Sequence, residues 1–92
     1  MSEADIEQAL VKWAKERGWL AIKFTPRGER FWPDRIFISQ YGTHVWLELK
    51  DEGEVPSKGQ KYRMEQLIEN DAIVHWTDNL EDAKTILMGY EV

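Results

Sequence analysis

Three acidic residues and one lysine have the types and spacing that metal-assisted chemistry requires. Glu48 and Lys50 stand two apart in an otherwise apolar run, so they project side by side from one face of a predicted strand. Asp34 directly follows Pro33 at the start of the preceding predicted strand. Glu7 lies on the apolar stripe of a predicted helix, where a carboxylate costs free energy unless it has a partner or a role.

The chemistry that these residues predict is hydrolysis of a phosphodiester bond. Mg²⁺ and Mn²⁺ prefer oxygen ligands, so the carboxylates of Glu7, Asp34 and Glu48 suit either ion. Such an ion polarises a phosphoryl oxygen and lowers the pKa of its bound water, which becomes the attacking group. Lys50 would orient or deprotonate that water, or stabilise the charge that develops on the phosphate. The chain has no cysteine and only two histidines, far apart in sequence, so a metal site here would use oxygen ligands.

A second carboxylate, Glu3, lies one helical turn before Glu7. At 100° per residue from Ile6, Glu3 falls at about 60° and Glu7 at about 100°, so both lie on the core-facing stripe. Acidic side chains also stabilise the first turn of a helix, and this structural role would explain Glu3 and Glu7 without a metal. The choice between Glu3 and Glu7 as the helical ligand therefore stays open.

Seven elements are predicted to position these residues, in the order αβββαβα. Ser2, Ser57 and Asp78 or Asn79 are predicted helix caps, and Gly18 and Gly89 end the first and last helices. The predicted elements are helices over 2–17, 57–70 and 79–89 and strands over 19–24, 35–39, 43–50 and 72–76. This order favours an α/β fold with a small mixed sheet flanked by helices.

The two strands around Gln40-Tyr41-Gly42 form a predicted β-hairpin whose register decides whether the acids meet. Opposed residues of an antiparallel pair have numbers with a constant sum. If Gln40 faces Gly42, Asp34 is directly opposed to Glu48 and shares its face. The proposed site therefore depends on this register.

Length and composition predict a single domain over residues 1–92 that folds in water. The chain is 42% hydrophobic and 32% charged, and it contains no apolar run long enough to cross a bilayer. Its first residues are acidic and no apolar segment follows them, so export is not expected. We expect a cytoplasmic location with no membrane partner.

The net charge of −5 hides an uneven distribution. Basic residues concentrate between residues 12 and 35, whereas residues 64–92 contain one lysine and seven acids. A mixed, solvated surface explains this as well as a basic face for a polyanion does. If the face binds DNA, the expected phosphate contacts are Lys12, Lys15, Arg27, Arg30, Arg35, Lys58 and Lys61, and Trp32 is the aromatic residue expected to touch DNA.

The order of these motifs resembles a known family. Pro33-Asp34, then Glu48-Leu49-Lys50 after a hairpin, is similar to the motif of the PD-(D/E)XK nucleases, which have the restriction-endonuclease-like fold. With a helical Glu7 before them and Ser57 and Gln60 after them, residues 3–82 resemble the stand-alone VRR-NUC (virus-type replication-repair nuclease) domains of phages and bacteria.

The resemblance implies a structure-selective, Mg²⁺- or Mn²⁺-dependent DNA endonuclease that resolves four-way (Holliday) junctions as a homodimer. It implies that Glu7, Asp34 and Glu48 are metal ligands, together with the backbone carbonyl of Leu49. It further implies that Lys50 is the catalytic lysine and that Gln60 is a site residue contributed by the second helix.

Two features depart from the family pattern, and two other functions compete. Phe31-Trp32 stands where relatives commonly have a small residue before Pro-Asp, and Asp51-Glu52-Gly53-Glu54 is acidic where relatives are often neutral or basic.

The main alternative function is a non-catalytic module that binds DNA junctions or a replication protein. The second alternative function is a small-molecule metal hydrolase, which the lack of clustered histidine ligands disfavours.

Overall fold

A computed structural model describes residues 1–92 and contains three helices and four strands in the predicted order. Each element begins and ends within a few residues of its prediction, so the predicted α/β class and the order αβββαβα are confirmed. The elements are α1 (Glu3–Glu16), β1 (Leu20–Lys23), β2 (Arg35–Ile38), β3 (His44–Leu49), α2 (Lys58–Glu69), β4 (Ile73–Thr77) and α3 (Leu80–Met88).

The helices begin at polar caps that the sequence predicts. Ser2 accepts a hydrogen bond from the backbone of Asp5, whose side chain in turn accepts from the Ser2 backbone, a reciprocal capping box. Ser57 and Gln60 form the same arrangement at the start of α2. Asn79, rather than Asp78, is the cap of α3. These local bonds satisfy N–H groups that a helix leaves without acceptors.

The four strands form one sheet in the order β1-β2-β3-β4, with β1, β2 and β3 antiparallel and β4 parallel to β3. In the hairpin, Arg35 pairs with Leu47 and Ile36 with Trp46. This is the predicted register, in which Asp34 is opposite Glu48 at the end of the pair.

The two faces of the sheet have different surroundings. One face packs against α1 and α3 to form the main core, and Phe37, Val45 and Leu47 at its centre are fully buried. On the other face, α2 lies against β4 and begins over the end of β3. This second face carries Trp46 and Glu48, and Asp34 lies opposite Glu48, so the predicted site lies at this end of the β2–β3 pair.

None of the three helices combines the length and the apolar composition that crossing a membrane requires.

Candidate metal centre

Carboxylate oxygens of Glu3, Asp34 and Glu48 lie within 4.8 Å of one another. Asp34 and Glu48 come from opposed ends of the β2–β3 hairpin, and Glu3 comes from the first turn of α1. Three chain segments that are distant in sequence therefore bring one carboxylate each to the same point. Such a set of oxygen donors is the type that Mg²⁺ and Mn²⁺ prefer.

In the structure the helical member of this cluster is Glu3, and the role of Glu7 as a metal ligand stays a prediction. Glu7 instead accepts a hydrogen bond from Arg35, with 3.0 Å between Oε2 and the guanidinium Nε. Glu7 lines the same open cleft as Glu3 and Asp34, one turn farther along α1. Both carboxylates lie on the expected stripe, but the position of α1 along the sheet brings only the earlier one to the hairpin end.

The loop after β3 fixes the start of α1. The backbone N–H of Glu3 donates to the Asp51 carboxylate. The terminal ammonium of Met1 lies 3.2 Å from Glu52 Oε2. Negative charge at a helix N-terminus is favourable, so this acidic loop stabilises the turn that carries Glu3. Sequence reasoning noted the acidic loop but missed this role, which the general preference of helix N-termini for carboxylates could have indicated.

Glu48 is the most unusual carboxylate of the chain. It is 2% exposed, and its Oε1 accepts a hydrogen bond from Gln60 Nε2 at 3.0 Å. Its Oε2 is also buried and has no hydrogen-bond partner. The pKa of Glu48 is raised to about 7, first by burial and then by the nearby charges of Asp34 and Glu3, against the opposing effect of Lys50.

Glu3 has a similar electrostatic environment. Burial raises its pKa above the ordinary value, and the adjacent Asp34 carboxylate adds to this shift, while the charge of Lys50 opposes it. Carboxylates packed this closely repel one another when ionised. A bound cation would remove that repulsion.

Gln60 connects α2 to the cluster. Its Oε1 accepts from the Ser57 backbone N–H at 2.8 Å, which leaves the Nε2 group free to face Glu48. The capping box therefore sets the orientation of the amide, and the amide in turn holds one oxygen of Glu48. Gln60 is thus in contact with the cluster, and its role as a site residue stays a prediction.

Lys50 follows β3 and remains attached to the sheet, since its backbone N–H donates to the Thr77 carbonyl at 3.0 Å. Its ammonium forms no ion pair, although its charge lowers the pKa of both Glu3 and Glu48. An ammonium near the cluster but unpaired remains available to another anion. Leu49, between Glu48 and Lys50, buries its side chain in the main core, and the role of its carbonyl as a ligand stays a prediction.

The donor set fits a divalent cation. A buried carboxylate oxygen without a partner is costly, and Glu48 Oε2 lies in the cluster where a metal ligand would be needed. Glu3, Asp34 and Glu48 would hold the ion, and open space on the cleft side leaves room for water and substrate.

The predicted phosphate contacts fall into two groups. Arg35 is half-buried and paired with Glu7, and its expected contact with phosphate stays a prediction. The other six side chains are exposed, and their contacts with DNA stay predictions; they are Lys12, Lys15, Arg27, Arg30, Lys58 and Lys61.

Trp32 does not present a free ring to solvent. It packs against Phe24 and Trp46, with ring centroids 5.5 and 5.6 Å away, and the guanidinium of Arg63 lies 4.4 Å from its centroid. Trp32 attaches the β1–β2 loop to the sheet and to α2, and its expected contact with DNA stays a prediction. The neighbouring Phe31 is the exposed aromatic residue of this loop.

The structure combines a mixed sheet with flanking helices and brings Asp34 and Glu48 together at one end of the β2–β3 pair. Among solved structures, a VRR_NUC domain superposes with a TM-score of 0.87 at 21% identity and 96% coverage of both chains. A VRR_NUC domain protein gives a TM-score of 0.78 at 17% identity, covering 98% of this chain and 88% of the other. The resemblance to VRR-NUC domains is thereby confirmed for the fold.

No protein-family model matches the sequence, and no curated protein matches it.

Proposed function

We propose that this protein is a metal-dependent nuclease that hydrolyses phosphodiester bonds in DNA. The observation that carries the proposal is the buried, unpartnered Oε2 of Glu48 within a three-carboxylate cluster. The nuclease names of the two structural neighbours agree with this chemistry. Mg²⁺ or Mn²⁺, when bound, supplies a Lewis acid for the phosphate and an acidified water.

The residues of the chain supply positioning and charge. Gln60 holds one oxygen of Glu48, and the Asp51 carboxylate holds the turn that carries Glu3. Lys50 places a positive charge beside the cluster, where it stabilises the negative charge that develops on the scissile phosphate or orients the attacking water. The carbonyl of Leu49 is our proposed additional ligand.

The test is a cleavage assay with labelled DNA in Mg²⁺, in Mn²⁺ and in chelator. We expect cleavage that stops in chelator and returns when either ion is restored. DNA binding without cleavage, indifferent to chelator and metal, would instead identify a non-catalytic binding module. Duplex, flap, four-way and single-stranded substrates compared in parallel would reveal the preferred DNA structure.

We propose branched DNA as the substrate and a homodimer as the active form. Resolution of a four-way junction needs two incisions, which two copies about a two-fold axis would provide. Exposed apolar side chains on the uncovered part of the sheet support the dimer, since Leu20 is 62% and Ile22 42% exposed.

Light scattering at micromolar concentration tests the dimer, with paired incisions in a synthetic junction as the functional counterpart. A mass near 10.9 kDa would exclude the dimer, and twice that mass would support it.

A further inference from the structure

Three consecutive residues attach the loop between β1 and β2 to α2. Arg63 Nη2 donates to the carbonyl of Arg30 at 3.2 Å, and the same guanidinium stacks on Trp32. Between them, the ring of Phe31 lies against Gly59. The loop is therefore held on the first turns of α2, beside the residue Gln60 that contacts the metal centre.

Gly59 makes room for the ring of Phe31. A Cβ at this position would lie 2.7–2.8 Å from three ring atoms, closer than carbon atoms can approach. Gly59 belongs to α2 and its φ is not positive, so backbone conformation does not require glycine. Glycine is less favourable than alanine inside a helix, so the contact with the ring is the physical reason for it here.

Phe31 itself has a φ of 70°, in the left-handed region that a bulky residue rarely adopts. Such a conformation persists only where surrounding contacts hold it, and the contacts of residues 30, 31 and 32 with α2 do so. The guanidinium carbon of Arg30 lies 4.8 Å from the Phe31 ring centroid. The Arg30 side chain is otherwise exposed and forms no ion pair.

We propose that Gly59 and Phe31 form a seat that holds the Arg30 guanidinium ready to bind a backbone phosphate of the substrate. The inference rests on the proposed function, because the phosphate belongs to the nucleic acid that the metal centre would cleave. A guanidinium held on an aromatic ring loses less conformational freedom when it binds a phosphate. Arg30 is the binding residue in this arrangement, and Phe31 and Gly59 are positioning residues.

The surroundings of the seat also favour an anion. Gly59 is in the first turn of α2, where backbone N–H groups lack intrahelical acceptors and the helix dipole is positive. Lys58 and Lys61 are exposed on the same turn. The negative charge of a phosphate beside Phe31 would therefore meet positive potential from both the loop and the helix.

The test measures binding of a labelled four-way junction in chelator, where no cleavage occurs, over a range of salt concentrations. Loss of one phosphate contact lowers the slope of log affinity against log salt by about 0.9. We expect Arg30→Ala to lower the slope by this amount and to weaken binding several-fold. Phe31→Gly should weaken binding to a smaller extent and keep the slope near its parental value, because Arg30 remains to contact the phosphate, and the double variant should bind no worse than Arg30→Ala alone.

Matched variants separate positioning from folding. Glycine tolerates the φ of Phe31, so Phe31→Gly should fold, and Phe31→Tyr, which keeps the ring, should retain parental binding. Gly59→Ala should reproduce the effect of Phe31→Gly. Arg27→Ala removes an exposed cation of the same loop that has no ring beneath it, so its effect should add to that of Phe31→Gly.

A spectroscopic measurement reports on the seat without DNA. The Arg30 side-chain protons should show an upfield ring-current shift in the parent that disappears in Phe31→Gly and Gly59→Ala. Parental affinity in Phe31→Gly, or additive losses with Arg30→Ala, would overturn the proposal while leaving the nuclease intact. If the parent protein binds no DNA, both this proposal and the proposed nuclease function are overturned. An upfield shift would then show only that Arg30 contacts Phe31 within the protein.

Discussion

Replacing Glu48 with glutamine should stabilise the metal-free protein while removing its response to metal. The carboxylate is 2% exposed, one oxygen has no partner, and its pKa in the folded state is about 7. The reference value is 4.5, so the folded state holds this proton more tightly than the unfolded state does. Glutamine keeps an oxygen to accept from Gln60 and carries no charge.

The direction of the pH effect follows from the raised pKa. Below pH 4.5 the carboxyl is protonated in both states and carries no penalty. Between pH 4.5 and pH 7 the unfolded state is ionised while the folded state still holds the proton, so the free energy of unfolding falls as the pH rises through this range. A shift of this size corresponds to about 3 kcal/mol at 1.36 kcal/mol per pKa unit, and the loss should be complete near pH 8.

Chemical denaturation followed by tryptophan fluorescence, in chelator between pH 4 and pH 8, measures this effect. The stability difference between Glu48→Gln and the parent should grow from near zero at pH 4 to about 3 kcal/mol at pH 8. Glu65→Gln is the matched control, because Glu65 is exposed on α2 and its side chain forms no ion pair. The difference in free energy of unfolding between Glu65→Gln and the parent should stay constant from pH 4 to pH 8.

Metal supplies the second half of this experiment. Excess Mg²⁺ or Mn²⁺ should stabilise the parent at pH 8, by about 3 kcal/mol at a hundred times the dissociation constant, and far less at pH 4. Glu48→Gln should show little of this stabilisation. A pH-independent difference between parent and variant would refute the electrostatic reasoning, and equal metal stabilisation of both proteins would remove Glu48 from the site.

Five further substitutions test the assignment of the other residues. Lys50→Ala should slow cleavage by about 10²-fold or more while the metal still stabilises the protein, and parental cleavage would disprove the role of the lysine. Glu3→Gln should weaken the stabilisation of the protein by metal. Glu7→Gln should lower the stability by only about 1 kcal/mol or less, through loss of the pair with Arg35. If a metal titration instead shows the larger loss of metal binding in Glu7→Gln, Glu7 is the ligand. Gln60→Ala should destabilise the protein by about 1 kcal/mol through the lost cap and should also reduce cleavage. The control is Ser57→Ala, which breaks the same cap and should affect cleavage less.

Local physics made much of this fold predictable from sequence. Periodicity and caps depend on near neighbours, so the order αβββαβα could be deduced with its boundaries close to the observed ones. The hairpin register was also accessible, because a short turn at Gly42, with φ of 83°, sets the pairing of both strands. The opposition of Asp34 and Glu48 follows directly from that register.

The identity of the helical carboxylate was decided only by tertiary structure. A helical wheel gives the direction of Glu3 and Glu7 around the axis of α1, but it carries no information on how far the helix slides along the sheet. Contacts of Glu3 with Asp51 and of Met1 with Glu52 set that position, and they join residues about fifty positions apart.

The role of the loop before β2 likewise depended on tertiary contacts. Basic and aromatic residues in a loop indicate a nucleic-acid surface, and composition does not distinguish an exposed ring from a packed one. Packing against Phe24, Trp46 and Arg63 made Trp32 structural, and the space above Gly59 left Phe31 as the partner of Arg30. The sequence determined which side chains were available. Long-range packing decided which of them reach the cleft, because it joins segments whose relative positions no local sequence pattern encodes.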